Sequence, residues 1–161
     1  MTLNNKTIVV TGCCSGIGAD FAKLARQQGA RVIGVDRNAP TLTLDGFVQV
    51  DLGDPAAIDA AVAQLPAKVD ALANIAGVPG TSSAELVGRV NYLGLRHFTH
   101  RVLERMGEGG SIVNIASILG AEWPSRLESH RALGATTSFE EGAKWLAAHP
   151  VQQETCYQYF K

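Results

Sequence analysis

The chain has 161 residues, 46% hydrophobic and 18% charged, the composition of a soluble globular protein with enough length to bury one core. A formal net charge of -1 supplies no basic field for nucleic acid or an anionic membrane surface. The early apolar run Ile8-Val9-Val10 is far too short for a signal peptide or a membrane span, so the cytoplasm is the expected location.

Along the chain, strands alternate with helices. Lys6 to Thr11 reads as a short apolar strand running into a glycine-rich turn. Ile17 to Gln28 carries apolar residues at helical spacing, with Gly29 where a helix should stop. Arg31 to Asp36 and Phe47 to Val50 read as the second and third strands. Asp54-Pro55 is a cap followed by a first-turn proline, and predicts a helix to about Leu65. Val69 to Ile75 is a fourth strand. Ser82-x-x-Glu85 has the form of a capping box and predicts one long helix through Asn91 to about Met106. Ser111 to Ala116 is a fifth strand.

This alternation predicts an α/β fold with a doubly wound, Rossmann-like parallel sheet, in one domain over residues 1–161. From about 120 to 155 the pattern changes to a helical excursion, with helices around Arg126 to Leu133 and Phe139 to Ala148. Trp123 and Trp145 lie in it, either lining a substrate pocket or packing the excursion down.

Thr11-Gly12-Cys13-Cys14-Ser15-Gly16-Ile17-Gly18 joins the first strand to the first helix. Glycines at this point let the backbone turn sharply and approach a pyrophosphate, while the helix N-terminus offers unpaired N–H groups to the anion. Asp36, ending the second strand, stands where a carboxylate accepts bonds from both hydroxyls of the adenosine ribose. The same carboxylate repels a 2′-phosphate, which favours NAD over NADP, although the adjacent Arg37 softens the preference. No Gly-Lys-Ser/Thr follows the turn, so a Walker phosphate loop is excluded. Cys13, Cys14 and Cys156 lack the spacing of a zinc knuckle or a redox pair and read as reduced small hydrophobes. His97, His100 and Glu104 read as a solvated helix face, and no metal is expected.

Further motifs follow in order, and together they resemble the short-chain dehydrogenase/reductase family. Thr11 to Gly18 is similar to its cofactor turn and Asp51-Leu52 to its adenine-contacting pair. Asn74-Ile75-Ala76-Gly77 resembles its Asn-Asn-Ala-Gly motif. Val90 to Gly94 resembles the helix segment with the catalytic Asn, and Ser111 to Ser117 the strand ending in the catalytic Ser. Tyr157 to Lys161 contains Tyr-x-x-x-Lys. Gly77 to Asn91 is shorter than usual and Ser117 to Tyr157 much longer, with His130 where the usual spacing would put Tyr. Both departures resemble the branch holding bacterial 3α-hydroxysteroid dehydrogenase/carbonyl reductases and coniferyl-alcohol dehydrogenases. The Val32 to Asn38 and Leu42 to Asp45 runs lean to the latter.

The resemblance implies an alcohol–carbonyl oxidoreductase with NAD as hydride carrier, Asn91, Ser117, Tyr157 and Lys161 as catalytic residues, and no metal. It implies cofactor contacts from Gly12, Ser15, Gly16, Ile17, Gly18, Asp36, Asp51, Leu52, Asn74, Ala76 and Gly77. A free Tyr has a pKa of about 10; a Lys four residues on shares its helix face and favours the phenolate. Ser117 would orient the substrate oxygen and Asn91 would anchor a water relay. Taken alone, Ser117 reads as a turn or cap residue and Asn91 as a helix residue with a local bond. The partner expected is a small alcohol or carbonyl compound, and the full-length form a homodimer or homotetramer. Roughly 250 residues make such an enzyme as one domain, so the sequence reads as a fragment, poorly active or poorly stable, with the sheet incomplete on its C-terminal side. A non-catalytic NAD-binding module and an inactive fragment remain the alternatives.

Overall fold

All five residues of the first strand, β1 (Thr7–Thr11), are β-branched, and its side chains are buried on both faces, as a central parallel strand requires. The computed structural model, which describes residues 2–161, sets β1 in a sheet with β2 (Arg31–Asp36), β3 (Gly46–Gln49), β4 (Val69–Asn74) and β5 (Met106–Asn114). The order is β3-β2-β1-β4-β5 and every pairing is parallel. Alternate side chains serve opposite layers. Ile8, Val10 and Val32 pack with Ala22 and Ala25 of α1 (Gly16–Gln27). On the other face, Val9, Ile33 and Val35 meet Ile58 and Val62 of α2 (Pro55–Ala63), with Phe98 and Val102 of α4 (Leu95–Leu103). The doubly wound Rossmann-like sheet read from the sequence is therefore present. The order in which strands are added reverses between β1 and β4, and that switch point opens the crevice where α/β proteins bind ligands.

Asp54 caps α2 as expected, accepting from the N–H groups of Ala56 at 2.9 Å and Ala57 at 3.2 Å. The next cap lies one residue further on than the capping box implied. The Ser82 N–H closes a turn onto the Pro79 carbonyl at 3.0 Å, so Ser83 caps α3 (Ala84–Gly88) and accepts from the Leu86 N–H. The long helix expected through Asn91 is not uniformly α-helical. A π-helical stretch, Arg89–Gly94, separates α3 from α4; such widened turns concentrate at functional sites.

β5 begins five residues before the expected Ser111. Met106 already pairs with Val69, and the glycine-rich 107–110 segment then bulges before Ser111 pairs with Ala71. β5 forms an exposed edge, leaving Ile112 and Val113 partly in solvent.

The excursion comprises a 3-10 stretch (Ile118–Arg126), α5 (Leu127–Gly134) and α6 (Phe139–Ala148). A further 3-10 turn (Gln153–Thr155) leads into the short α7 (Cys156–Tyr159). It packs on the α3 and π-helical segments through Val87, Leu93, Leu133, Phe139, Cys156 and Phe160. That contact fixes the position of Tyr157 and Lys161.

Candidate active site

The glycine-rich turn is braced from the neighbouring strand. The Thr11 hydroxyl oxygen accepts from the backbone N–H groups of Ile75 at 3.0 Å and Ala76 at 3.1 Å. Gly12 sits at φ +70°, and a Cβ there would lie 2.8 Å from the Ala76 backbone. On Gly18, a Cβ would lie 2.0 Å from the Gly12 carbonyl oxygen, so only glycine lets α1 begin this close to the turn. The Thr11 role was missed in the sequence; a hydroxyl closing a strand before the first glycine was its only signal.

A cleft of about 320 Å³ opens above this turn. Of the residues expected to touch the cofactor, Gly12, Ser15, Gly16, Ile17, Gly18, Asp36, Asp51, Leu52, Ala76 and Gly77 all line it. Asn74 does not. Its buried side-chain amide donates to Thr99 Oγ1 at 2.9 Å and Asn114 Oδ1 at 2.8 Å, tying β4 to β5 and α4. Asp36 is held by the N–H groups of Cys14 and Asn38, each at 3.0 Å, and the Asp51 carboxylate accepts from the Gly53 N–H at 2.7 Å. The α1 N-terminus has no side-chain cap, because Ser15 makes no such bond, so its first N–H groups stay available to an anion.

A second, more open cleft of about 450 Å³ adjoins the first, sharing Ile17, Ile75, Gly77 and Val78. Tyr157 and Lys161 both line it. Lys161 Nζ donates to the Ile115 carbonyl at 2.7 Å, and burial pushes its pKa below the usual lysine value. Asn91 is buried in the π-helical stretch and grips the Val78 backbone from both sides. Its Oδ1 accepts from the Val78 N–H at 2.8 Å and its Nδ2 donates to the Val78 carbonyl at 3.0 Å. A Cβ on Gly77 would stand 3.2 Å from Asn91 Oδ1 and 3.5 Å from Lys161 Nζ, so the two flank this glycine.

Other candidates stand apart. The Ser117 hydroxyl caps the following 3-10 stretch, accepting from the Leu119 N–H at 3.2 Å. His130 reaches the Tyr159 carbonyl at 3.1 Å and packs on the Tyr159 ring, and does not line the cleft. His97 pairs with Asp59 and Glu104 with Arg101, so the helix-face trio with His100 is not drawn together. Trp145 stacks on His149 and Trp123 is exposed; neither lines the cleft beside Tyr157.

Comparison with known proteins decides the family. A profile described as short chain dehydrogenase matches residues 6–129. The chain belongs to the short-chain dehydrogenase family. It is 60% identical over its whole length to coniferyl-alcohol dehydrogenase from Pseudomonas sp. strain HR199, and spans 63% of that relative. It is 31% identical to rat 15-hydroxyprostaglandin dehydrogenase [NAD(+)], over 86% of this chain and 62% of that one. Among solved structures, the 3α-hydroxysteroid dehydrogenase from Pseudomonas sp. B-0831 in complex with NADH superposes with TM-score 0.77 at 26% identity. That match covers 97% of this chain and 61% of the other. No helix among the described residues is long and apolar enough to cross a membrane.

Proposed function

We propose that this chain binds NAD and carries the proton-transfer residues of an alcohol–carbonyl oxidoreductase. The observation that carries the reading is the adjacency of the two clefts: Tyr157 and Lys161 line the one that shares Ile17 and Gly77 with the cleft above the glycine-rich turn. The cleft suits a dinucleotide. Gly16 has nothing within 4 Å of where a Cβ would stand, and the uncapped α1 N-terminus faces an approaching pyrophosphate. Asp36 keeps lone pairs for ribose hydroxyls beyond the two backbone bonds it accepts, and its charge opposes a 2′-phosphate. NAD, when bound, supplies the hydride acceptor.

The protein's share is the proton. The Tyr157 phenol exchanges a proton with the alcohol oxygen, and Lys161 lines the same cleft. Asn91 holds the 77–78 segment that separates the two clefts, through its paired bonds to Val78. Ser117 is assigned to orient the substrate oxygen: its Oγ accepts from the Leu119 N–H, which leaves the hydroxyl proton free to donate. Relatives named for coniferyl alcohol and for a 3α-hydroxysteroid support a bulky alcohol as substrate. A second reading, cofactor binding without turnover, is favoured by the place of Ser117, which lines neither cleft.

The test is NADH formation from coniferyl alcohol and from a 3α-hydroxysteroid, in the parent chain and in Tyr157→Phe. Loss of roughly 100-fold or more in turnover with NADH affinity unchanged supports the catalytic reading. Equal turnover in both refutes it. NADH binding with no turnover in either leaves the binding module as the better reading.

A further inference from the structure

The glycine-rich turn does more than bend the chain. Because Gly12 lies at φ +70°, the next two side chains are presented together, and Cys13 Sγ and Cys14 Sγ stand 3.8 Å apart. The Asp36 carboxylate completes a group of three in which every ligand atom lies within 4.8 Å of the others. Two sulfurs bound to tetrahedral zinc at about 2.3 Å are separated by about 3.8 Å, so the thiols already have a metal's bite. The arrangement is held from several directions. The Cys14 N–H donates to Asp36 Oδ2 at 3.0 Å, and Cys14 Sγ contacts the Asn38 carbonyl at 3.0 Å. Cys13 is buried against β2, where a Cβ on Gly34 would lie 2.5 Å from its sulfur. All three cysteines are free.

We propose that Cys13, Cys14 and Asp36 form a site for a thiophilic divalent cation, Zn²⁺ being the type case, whose occupancy excludes NAD from the adenosine end of the cleft. Loading replaces two S–H bonds by two metal–sulfur bonds and releases two protons; no electron is transferred. The Asp36 oxygen is the third ligand and a water would complete the fourth position; of the three residues, Asp36 lines the cleft. Exclusion follows because the proposed ribose-binding carboxylate is the one engaged by the cation. That consequence rests on the NAD reading above; the metal site itself does not.

Two measurements on the reduced chain separate these claims. Co²⁺, a spectroscopic substitute for Zn²⁺, should give a thiolate-to-cobalt charge-transfer band that Zn²⁺ bleaches. The band should vanish in Cys13→Ala and in Cys14→Ser, with far-UV circular dichroism unchanged, and persist in Cys156→Ser. No band in the parent chain, or a band surviving in the Cys13→Ala/Cys14→Ser double variant, overturns the site. NADH is then titrated with and without Zn²⁺. At free Zn²⁺ about ten times its own Kd, competition raises the apparent Kd for NADH about tenfold, and a chelator reverses it. A cobalt band with NADH affinity unmoved by Zn²⁺ refutes the exclusion. Absence of NADH binding even without metal refutes the NAD reading, while the band still decides the site.

Discussion

Replacing Asn91 by Ala removes two hydrogen bonds at once, and both partners belong to one backbone unit. The Val78 N–H at 2.8 Å and the Val78 carbonyl at 3.0 Å lose their only side-chain partner among the described residues. Each buried group left unpaired costs about 1–3 kcal/mol. Val78 is half-buried, so water recovers part of this, and a net loss of about 2–4 kcal/mol is expected. For a chain of this length that corresponds to a fall in Tm of roughly 5–12 °C. Thermal unfolding followed by circular dichroism, with and without NADH, reads the effect. The variant should also gain less from NADH, because Gly77 and Val78 line both clefts. A variant melting within about 1 °C of the parent would refute the claim that Asn91 holds this segment in place.

Gly120 faces the backbone of Lys161, where a Cβ would lie 2.7 Å from the carbonyl carbon, whereas a Cβ on Gly107 meets nothing within 4 Å. Gly120→Ala should therefore cost about 1–3 kcal/mol in urea unfolding and Gly107→Ala far less; equal midpoints would contradict the packing of Lys161. Asp45 accepts from the Val32 N–H at 2.8 Å and from Arg26 Nε at 3.1 Å, which hold its carboxyl below the ordinary 3.8. A depressed folded-state pKa contributes stability that is present above the ordinary value and lost as pH falls through the folded one. Asp45→Asn should thus be less stable than the parent near neutral pH, with the gap closing in acid. A gap that stays constant across a urea series from neutral to strongly acid pH would contradict the assignment.

Much of the architecture was legible because it is local. The Asp54-Pro55 cap, the buried β1 run and the glycine spacing of the turn each follow from the needs of adjacent backbone. Ser82 and Ser83 were not distinguishable, since either hydroxyl suits a cap and only the Pro79 turn decides between them. The π-helical stretch around Asn91 had no compositional mark. Asn74 reads as a motif residue, yet its bonds go to Thr99 and Asn114, partners that only the folded sheet brings near. Ser117 and Cys14 show the same limit. Their hydroxyl and thiol partners are set by φ and ψ at neighbouring residues, which residue type does not reveal.

The most direct test of the account is NADH binding to this chain, followed by its fluorescence, with NADPH and Asp36→Ala alongside. The structure of the cleft predicts saturable NADH binding, NADPH weaker by about tenfold or more, and a gap that narrows in Asp36→Ala, because like charges juxtaposed in a binding site are strongly disfavoured. NADPH binding as tightly as NADH, or no saturable binding of either, would contradict it.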